Sequence, residues 1–195
     1  MNFLNNKVFF WLLLAIPAVA MSVAMGNGAE LERLMHVTGE FSARLMILAL
    51  LLSPFKLIFN NARWVNWLLR RRRAIGVAAF FYALVHTILY VVDMGTLQAI
   101  LSELGLLGIW TGWVALIIFI PLAITSNNTM VRVLKSNWKT LQRLVYVAAV
   151  LTLVHWVFVH NNTGPALVHF VPLALAEAYR IYHWFSTRRI KAIDV

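Results

Sequence analysis

Residues 70–94 read RRRRAIGVAAFFYALVHTILYVVDM, four arginines followed by a stretch without a charged residue from Ala74 to Val92. A run of about 20 apolar residues is long enough to cross the hydrocarbon core of a bilayer as a helix. Lysine and arginine collect at the cytoplasmic ends of such helices. The stretch therefore predicts a transmembrane helix that begins at the cytoplasmic side and carries one histidine, His86, in its interior.

The rest of the chain repeats this pattern. Apolar residues make up 62% of the 195 residues and charged residues only 12%, a composition that lipid can cover and water cannot. We predict an all-α integral membrane protein, one domain over residues 1–195, built as a bundle of six transmembrane helices. Six spans leave no room for a soluble catalytic domain. The predicted spans are residues 7–25, 40–59, 74–94, 108–126, 139–159 and 165–185.

The basic residues orient this bundle. If the six helices alternate in direction, 15 of the 17 lysines and arginines fall on one side of the membrane. The positive-inside rule then places both termini in the cytoplasm, and we expect a multi-pass protein of a bacterial inner membrane. The net charge of +10 is accounted for by topology, so nucleic acid is not an expected partner. The absence of cysteine excludes iron–sulfur clusters and covalently attached c-type haem.

Two histidines reach the same depth in the predicted bundle. His86 follows Arg73 by 13 residues and His155 follows Lys139 by 16, which places them about 20 Å and about 24 Å from the cytoplasmic ends of two parallel helices. A histidine inside a span is a functional candidate. Two imidazoles at one level suit the axial ligands of a haem iron. Metal-ion transport and hydrogen bonding between helices remain alternatives at this point.

Two further histidines are candidates for secondary haem contacts. His169 falls near the outer end of the sixth predicted span, where it could replace a ligand or hydrogen-bond a propionate. His36 opens the tetrapeptide His36-Val-Thr-Gly39, for which we expect a turn that touches the haem edge. His160 and His183 lie near the two membrane surfaces, where we expect them to be solvated.

A series of short motifs resembles the ferric-reductase-like transmembrane family, over about Val8 to Phe185. Within that family the series is most similar to the haem-binding subunits of periplasmic methionine sulfoxide reductase systems. The motifs are Arg72-Arg73-Ala-Ile-Gly76, Tyr82-Ala-Leu-Val-His86, His36-Val-Thr-Gly39, Leu52-Ser-Pro54, Ile124-Thr-Ser126, Trp138-Lys-Thr-Leu-Gln-Arg-Leu-Val-Tyr146 and His155-Trp156.

The resemblance implies an electron-transfer subunit rather than a catalytic one. Such subunits pass electrons through haem b to a periplasmic molybdenum enzyme that reduces methionine sulfoxide. Their electrons come from the quinone pool or from a cytoplasmic flavin reductase, and a flavin, FMN, is associated with the family. Carried over by position, His86 and His155 match the family's outer haem ligands, and Arg72 and Arg73 match a basic pair implicated in flavin use.

One position departs from the family. A histidine is usual near the start of the fifth span, where this chain has Gln142. Glutamine is a poor ligand for iron, so we predict one haem b and an inner haem that is absent or replaced. A flavin or quinone held near Arg72, Arg73 and Gln142 would then shorten the path from the cytoplasmic face to the outer haem.

Two other functions fit the same sequence. The first is a stand-alone transmembrane reductase that delivers electrons from the same haem to ferric iron or another acceptor. The second is a haemless transporter or structural subunit, in which the histidines only hydrogen-bond between helices. Bound haem would distinguish the stand-alone reductase from the haemless protein. Only the identity of the electron acceptor would distinguish the stand-alone reductase from the electron-transfer subunit.

Overall fold

The computed structural model describes residues 6–160 and 163–193, with side chains as far as Thr187. These residues form helices and short connections, and no strand occurs among them. In chain order the helices are α1 (Lys7–Gly26), α2 (Leu31–Ile58), α3 (Arg63–Leu69), α4 (Arg72–Met94), α5 (Leu97–Glu103), α6 (Leu107–Ile124), α7 (Asn128–Leu134), α8 (Ser136–Gln142), α9 (Val145–His160) and α10 (Thr163–Ile193).

Five of the six predicted spans are confirmed as helices long and apolar enough to cross a membrane. They are Lys7–Gly26, Leu31–Ile58, Arg72–Met94, Leu107–Ile124 and Ser136–His160. The sixth predicted span lies in α10, a continuous helix of 31 residues. Because α10 also carries the ion pair Glu177–Arg180, it is less apolar than the other five. Its crossing of the membrane and the cytoplasmic position of both termini stay predictions.

The bundle is organised around two closely packed helix pairs, α2 with α4 and α6 with α9, and α10 packs against α2 and α9. Small residues line the contact between α2 and α4, and the Ser42 hydroxyl donates a hydrogen bond of 2.9 Å to the carbonyl of Ala79. Small side chains let helix backbones approach closely in lipid, where van der Waals contact and hydrogen bonds drive association. The two pairs face each other and leave space between them.

Helix α1 is attached to this core through a buried phenylalanine and through a tyrosine of α4. Only Phe10 of α1 is buried. The Tyr82 hydroxyl of α4 donates to the carbonyl of Leu14 at 2.8 Å and accepts from the amide of Ala18 at 3.0 Å. Those two backbone groups would pair with each other in a regular helix, next to Pro17. Tyr82 therefore bridges a break in the hydrogen-bond ladder of α1 and ties α1 to α4.

The structure differs from the predicted spans at two points. The second span begins at Leu31, nine residues before residue 40, so His36-Val-Thr-Gly39 lies within α2 and is not a turn. The predicted end of this span at residue 59 agrees with the end of α2 at Ile58. The fifth span is divided, because α8 ends at Gln142 and α9 begins at Val145. The apolar pattern of the sequence does not reveal the early start of α2, because polar residues of this helix interrupt the apolar run while they pack inside the bundle or face its outer end.

The two ends of the bundle differ in charge. At the end we call inner lie α3, α7 and α8, with the run Arg70 to Arg73 at the start of α4. At the opposite, outer end lie His36, His160 and the short helix α5, which contains Glu103. This separation is the one that the positive-inside rule describes for cytoplasmic and external faces.

Candidate functional site

His86 of α4 and His155 of α9 face each other across the space between the two helix pairs. Their ring centroids are 5.9 Å apart and their ring planes cross at 84°. The prediction that these histidines reach one level is therefore matched by the geometry. An imidazole nitrogen binds a metal ion at roughly 2 Å. Two rings bound to opposite sides of one metal ion would have centroids at a separation of this order.

Each ring is oriented by a backbone carbonyl on the neighbouring helix. Nδ1 of His86 lies 2.8 Å from the carbonyl oxygen of Met35 on α2, and Nδ1 of His155 lies 2.7 Å from that of Gly108 on α6. Because a carbonyl only accepts, each Nδ1 must carry the proton and donate it. The Nε2 atom of each ring is then unprotonated and free to bind a metal, the arrangement typical of metal-binding histidines.

Glycines make room for both rings. A β-carbon at Gly39 of α2 would lie 2.9 Å from Nδ1 of His86, and one at Gly112 of α6 would lie 2.6 Å from Nδ1 of His155. No ordinary side chain fits at either distance. Gly108 similarly allows the backbone near Val159 on α9 to approach α6. The glycines therefore bring the carbonyl-bearing helices close enough to brace the two imidazoles.

The two histidines line a cavity of about 400 Å³ between the helix pairs. Small or apolar residues line much of its wall, among them Gly39, Ala43, Ala83, Gly112, Ala115, Leu116 and Phe119. Ligand cavities of roughly 300–1,000 Å³ with apolar walls and a few placed polar groups are common binding sites. An apolar slot with two facing, pre-oriented imidazoles fits a b-type haem, since haem iron accepts histidine ligands and the porphyrin is flat and apolar.

The other predicted site histidines lie apart from the ligand pair. His36 and His160 line the outer part of the same cavity and stack on each other, with centroids 4.2 Å apart. His169 is not among the residues lining the cavity. Its Nδ1 contacts the carbonyl of Pro165 at 2.7 Å and its Nε2 accepts from Nε of Arg44 at 3.2 Å, so both ring nitrogens are engaged. His183 is exposed on α10.

A second cavity, of about 760 Å³, lies toward the inner end and is lined by Arg72, Arg73 and Gln142, the three residues predicted to lie together. Lys139, Arg143 and Arg180 add three further cationic side chains to its lining. Nε2 of Gln142 donates to the carbonyl of Leu122 and to Oγ1 of Thr125, both at 3.1 Å. Because α8 and α9 are separate helices, Gln142 sits at the end of a helix rather than inside one.

The inner cavity does not fit a bis-histidine haem. None of its lining residues in the described part of the chain is a histidine, whereas five are lysine or arginine. These cations suit an anionic or strongly polar ligand group. Phe119 lines both cavities, so the inner cavity and the slot between His86 and His155 share an aromatic wall residue.

Sequence reasoning did not assign the residues that brace the ligands. These are the carbonyls of Met35 and Gly108, the clearance at Gly39 and Gly112, and the position of Phe119. One signal was present: Gly108 and Gly112 are four residues apart in an apolar helix, a spacing typical of close helix packing in membranes. The carbonyl partners come from contacts between distant segments, which periodicity does not identify.

Comparison with known proteins identifies the family. Residues 38–153 match the family described as ferric reductase like transmembrane component. The chain is 34% identical over 157 residues to a protein of Rhizobium meliloti (strain 1021) named protein-methionine-sulfoxide reductase heme-binding subunit MsrQ, covering 78% of this chain and 70% of that protein. It is 37% identical to the protein of that name from Brucella anthropi, covering 75% and 69%.

A third relative, the MsrQ of Agrobacterium fabrum (strain C58 / ATCC 33970), is 38% identical over 130 residues, covering 65% of this chain and 58% of that protein. No solved structure matches the chain significantly. The match to the family covers the region that contains α4 with His86, α6 and the first part of α9, and it ends two residues before His155. The chain therefore belongs to the ferric reductase like transmembrane component family, and within it groups with the MsrQ heme-binding subunits.

Proposed function

We propose that this chain is a membrane electron-transfer subunit that binds one b-type haem between His86 and His155. The observation that carries the proposal is the pair of facing imidazoles, 5.9 Å apart, each with Nδ1 held by a backbone carbonyl. A histidine that served only to link helices would need no free Nε2 facing a second imidazole. The names of the relatives, heme-binding subunits of a methionine-sulfoxide reductase, support the same cofactor.

The protein residues determine how the haem would be held and tuned. Bound haem supplies one-electron exchange at its iron. His86 and His155 would hold the haem iron, and the carbonyls of Met35 and Gly108 would raise the basicity of the imidazoles by accepting hydrogen bonds from Nδ1–H. Apolar side chains around the slot, Phe119 among them, limit access of water. Burial, ligand identity and hydrogen bonds to the ligands are the features that set a haem potential.

Electrons enter, in this proposal, through the inner cavity. Its five cationic side chains and Gln142 would hold a flavin or a quinone. This ligand would take the place of an inner haem, for which Gln142 is a poor iron ligand. The donor would be the quinone pool or a cytoplasmic flavin reductase. Phe119 borders both cavities, so a ligand in the inner cavity and a haem in the slot would share this side chain as a wall.

Electrons leave at the outer end of the bundle. We propose an MsrP-like molybdoenzyme of the periplasm as the acceptor, because the relatives are named as subunits of a methionine-sulfoxide reductase. This direction of transfer places the inner, basic end of the bundle in the cytoplasm of a bacterial cell and the outer end in the periplasm, as the charge distribution favours.

A stand-alone reductase is the second candidate, and the charge of the outer cavity favours it. Glu32, Glu40, Asp93 and Glu103 line the outer cavity, and a group of carboxylates attracts cationic acceptors such as metal ions. The described residues contain no cluster of three or more side chains that could hold a metal ion. A metal ion acting as acceptor would therefore be reduced during a transient contact and would not stay bound to these residues.

An absorption spectrum of the purified protein from haem-replete cells tests the proposal. We expect a Soret band and split visible bands after reduction with dithionite, which are typical of a low-spin haem b. His86→Ala and His155→Ala should each abolish or convert this spectrum. The matched control is His183→Ala, which removes an exposed imidazole at the inner end of α10 and should leave the spectrum unchanged. A colourless wild-type protein would refute the haem.

The acceptor is tested on the same preparation. After reduction, the haem should be reoxidised rapidly by the periplasmic molybdoenzyme with methionine sulfoxide present. Rapid reoxidation by a ferric chelate and none by the molybdoenzyme would favour the stand-alone reductase.

A further inference from the structure

His36 of α2 and His160 of α9 form a stacked pair at the outer end of the haem slot. Their centroids are 4.2 Å apart and their planes are inclined by only 22°. His160 follows the ligand His155 by five residues of one helix, which places it about 7.5 Å further toward the outer end. His36 is adjacent to Met35, whose carbonyl braces the ligand His86. The pair is thus about one helical turn outward from both ligands.

The outer cavity contains little positive charge to meet an anion. No lysine or arginine is among its lining residues in the described segments. Its carboxylates come from Glu32, Glu40, Asp93 and Glu103. Glu40 is paired with Arg44, which lies outside the lining, at 2.6 Å, and the other three would repel a negatively charged group. A haem carries two propionates, and a buried carboxylate needs a hydrogen-bonding or cationic partner. Apart from the two ligands, His36 and His160 are the lining residues that can carry a positive charge.

The hydroxyl groups along the cavity are already engaged. Oγ of Ser42 and Oγ1 of Thr87 donate to backbone carbonyls of α4, and Oγ1 of Thr152 donates to a backbone carbonyl of α9. The Tyr90 hydroxyl donates to Oε2 of Glu103 at 2.9 Å. The rings of His36 and His160 have no hydrogen-bond partner among the residues that the structure describes. Since ring N–H bonds lie in the ring plane, two nearly parallel rings can donate into the same region.

We propose that His36 and His160 together hold a propionate of the haem at the outer end of the slot. The inference rests on the proposed haem between His86 and His155, and it adds the residues that fix the rotation of the porphyrin about the axis joining its ligands. Two helices contribute to this contact, α2 and α9, which belong to different helix pairs. The propionate therefore links the two pairs at the outer end, where the space between them opens.

Paired substitutions separate stacking from hydrogen bonding. His36→Phe and His160→Phe keep an aromatic ring in the stack but remove its N–H groups, whereas His160→Gln keeps a donor. The holoprotein of each variant is assayed for transfer of haem to excess apomyoglobin and for the propionate bending band in its resonance Raman spectrum. His183→Phe is the control at the opposite end of the bundle.

Both phenylalanine variants should retain the low-spin spectrum of the two ligands. Each should release haem about tenfold faster than wild type, as expected for loss of a charge-assisted hydrogen bond, and shift the propionate band. His160→Gln should lie close to wild type. Phenylalanine variants with a wild-type release rate and an unshifted band would overturn the propionate contact. A wild-type protein without haem would refute the proposed function itself.

Discussion

Gly112 on α6 lies so close to the His155 ring that no side chain fits at this position, because a β-carbon there would lie 2.6 Å from Nδ1 of the imidazole. The same ring donates to the carbonyl of Gly108, one turn earlier on α6. Two glycines of one helix thus supply the clearance and the acceptor that set the orientation of a ligand on another helix. His86 repeats this relationship with Gly39 and Met35 on α2.

Gly112→Ala should therefore displace the His155 ring and lower haem content severalfold. Inserting a methyl group into a packed contact costs roughly 1–3 kcal/mol, and here the atom that must move is held by a hydrogen bond to the same helix. Haem per protein by pyridine haemochrome and the low-spin spectrum measure the effect.

Gly76→Ala is the matched control for this prediction. Gly76 is a helical glycine of α4 with no atom within 4 Å of an added β-carbon, so alanine should preserve haem content and stabilise the helix by about 0.5–1 kcal/mol. Equal haem content in the Gly112 and Gly76 variants would contradict the packing described for His155.

Tyr82→Phe should loosen α1 without changing the haem spectrum. The substitution removes the hydroxyl that bridges Leu14 and Ala18, at a cost of about 1–2 kcal/mol for the two lost hydrogen bonds. We expect a lower unfolding temperature in detergent and faster hydrogen exchange confined to α1. Tyr182→Phe, at a side chain that is 70% exposed, is the control. A spectrum altered by Tyr82→Phe would show that Tyr82 supports the haem slot directly.

Gln142→His tests the state of the inner cavity. The wild-type protein should contain one haem per chain, because the inner cavity has no imidazole among its described lining residues. A histidine at position 142 would supply a single ligand facing Arg72 and Arg73, so the variant should gain up to one further haem with high-spin character. A wild-type ratio of two haems per chain would show that Gln142 does not exclude the inner haem.

Arg73→Gln should slow the entry of electrons and leave the haem site intact. The Arg73 side chain lines the inner cavity and its Nη1 donates to Oδ1 of Asn128 at 2.8 Å. We expect reduction of the haem by a quinol or by a flavin reductase to slow by about tenfold, the effect of losing one charge-assisted contact. Reduction by dithionite and the absorption spectrum should not change.

Arg63→Gln provides the comparison at the same end of the bundle, since Arg63 is exposed on α3 and outside the cavity lining. If both variants slow reduction equally, the effect arises from general surface charge and the inner cavity is not the entry point.

Much of the fold follows from apolar runs and charge alone. Residues 70–94 show why: the boundary between Arg73 and Ala74 and the unbroken run to Val92 define α4 almost as the structure has it. Depth along the helix also follows from residue number, so His86 and His155 could be paired before any coordinates. Helix α2 is harder, because Glu32, His36 and Glu40 interrupt its apolar pattern while still lying in the helix.

The parts of the site that sequence did not predict depend on contacts between helices. Nothing in the local sequence of Met35 indicates that its carbonyl meets His86, 51 residues away. The stacking of His36 on His160 likewise joins α2 to α9, whereas the sequence predicts a turn at His36 and a solvated position for His160. His169 contacts Arg44 and stacks on Trp156, which lines the outer cavity, but His169 is not itself a lining residue.

Electron paramagnetic resonance of the oxidised wild-type protein tests the central claim most directly, because the signal of a low-spin ferric haem depends on its two ligands and on the angle between their planes. The rings of His86 and His155 cross at 84°, and near-perpendicular imidazoles give a highly anisotropic low-spin signal with a large maximum g value. We predict that signal, and its loss in His86→Ala and in His155→Ala. A high-spin ferric signal in the wild type, or no haem signal at all, would contradict bis-histidine coordination.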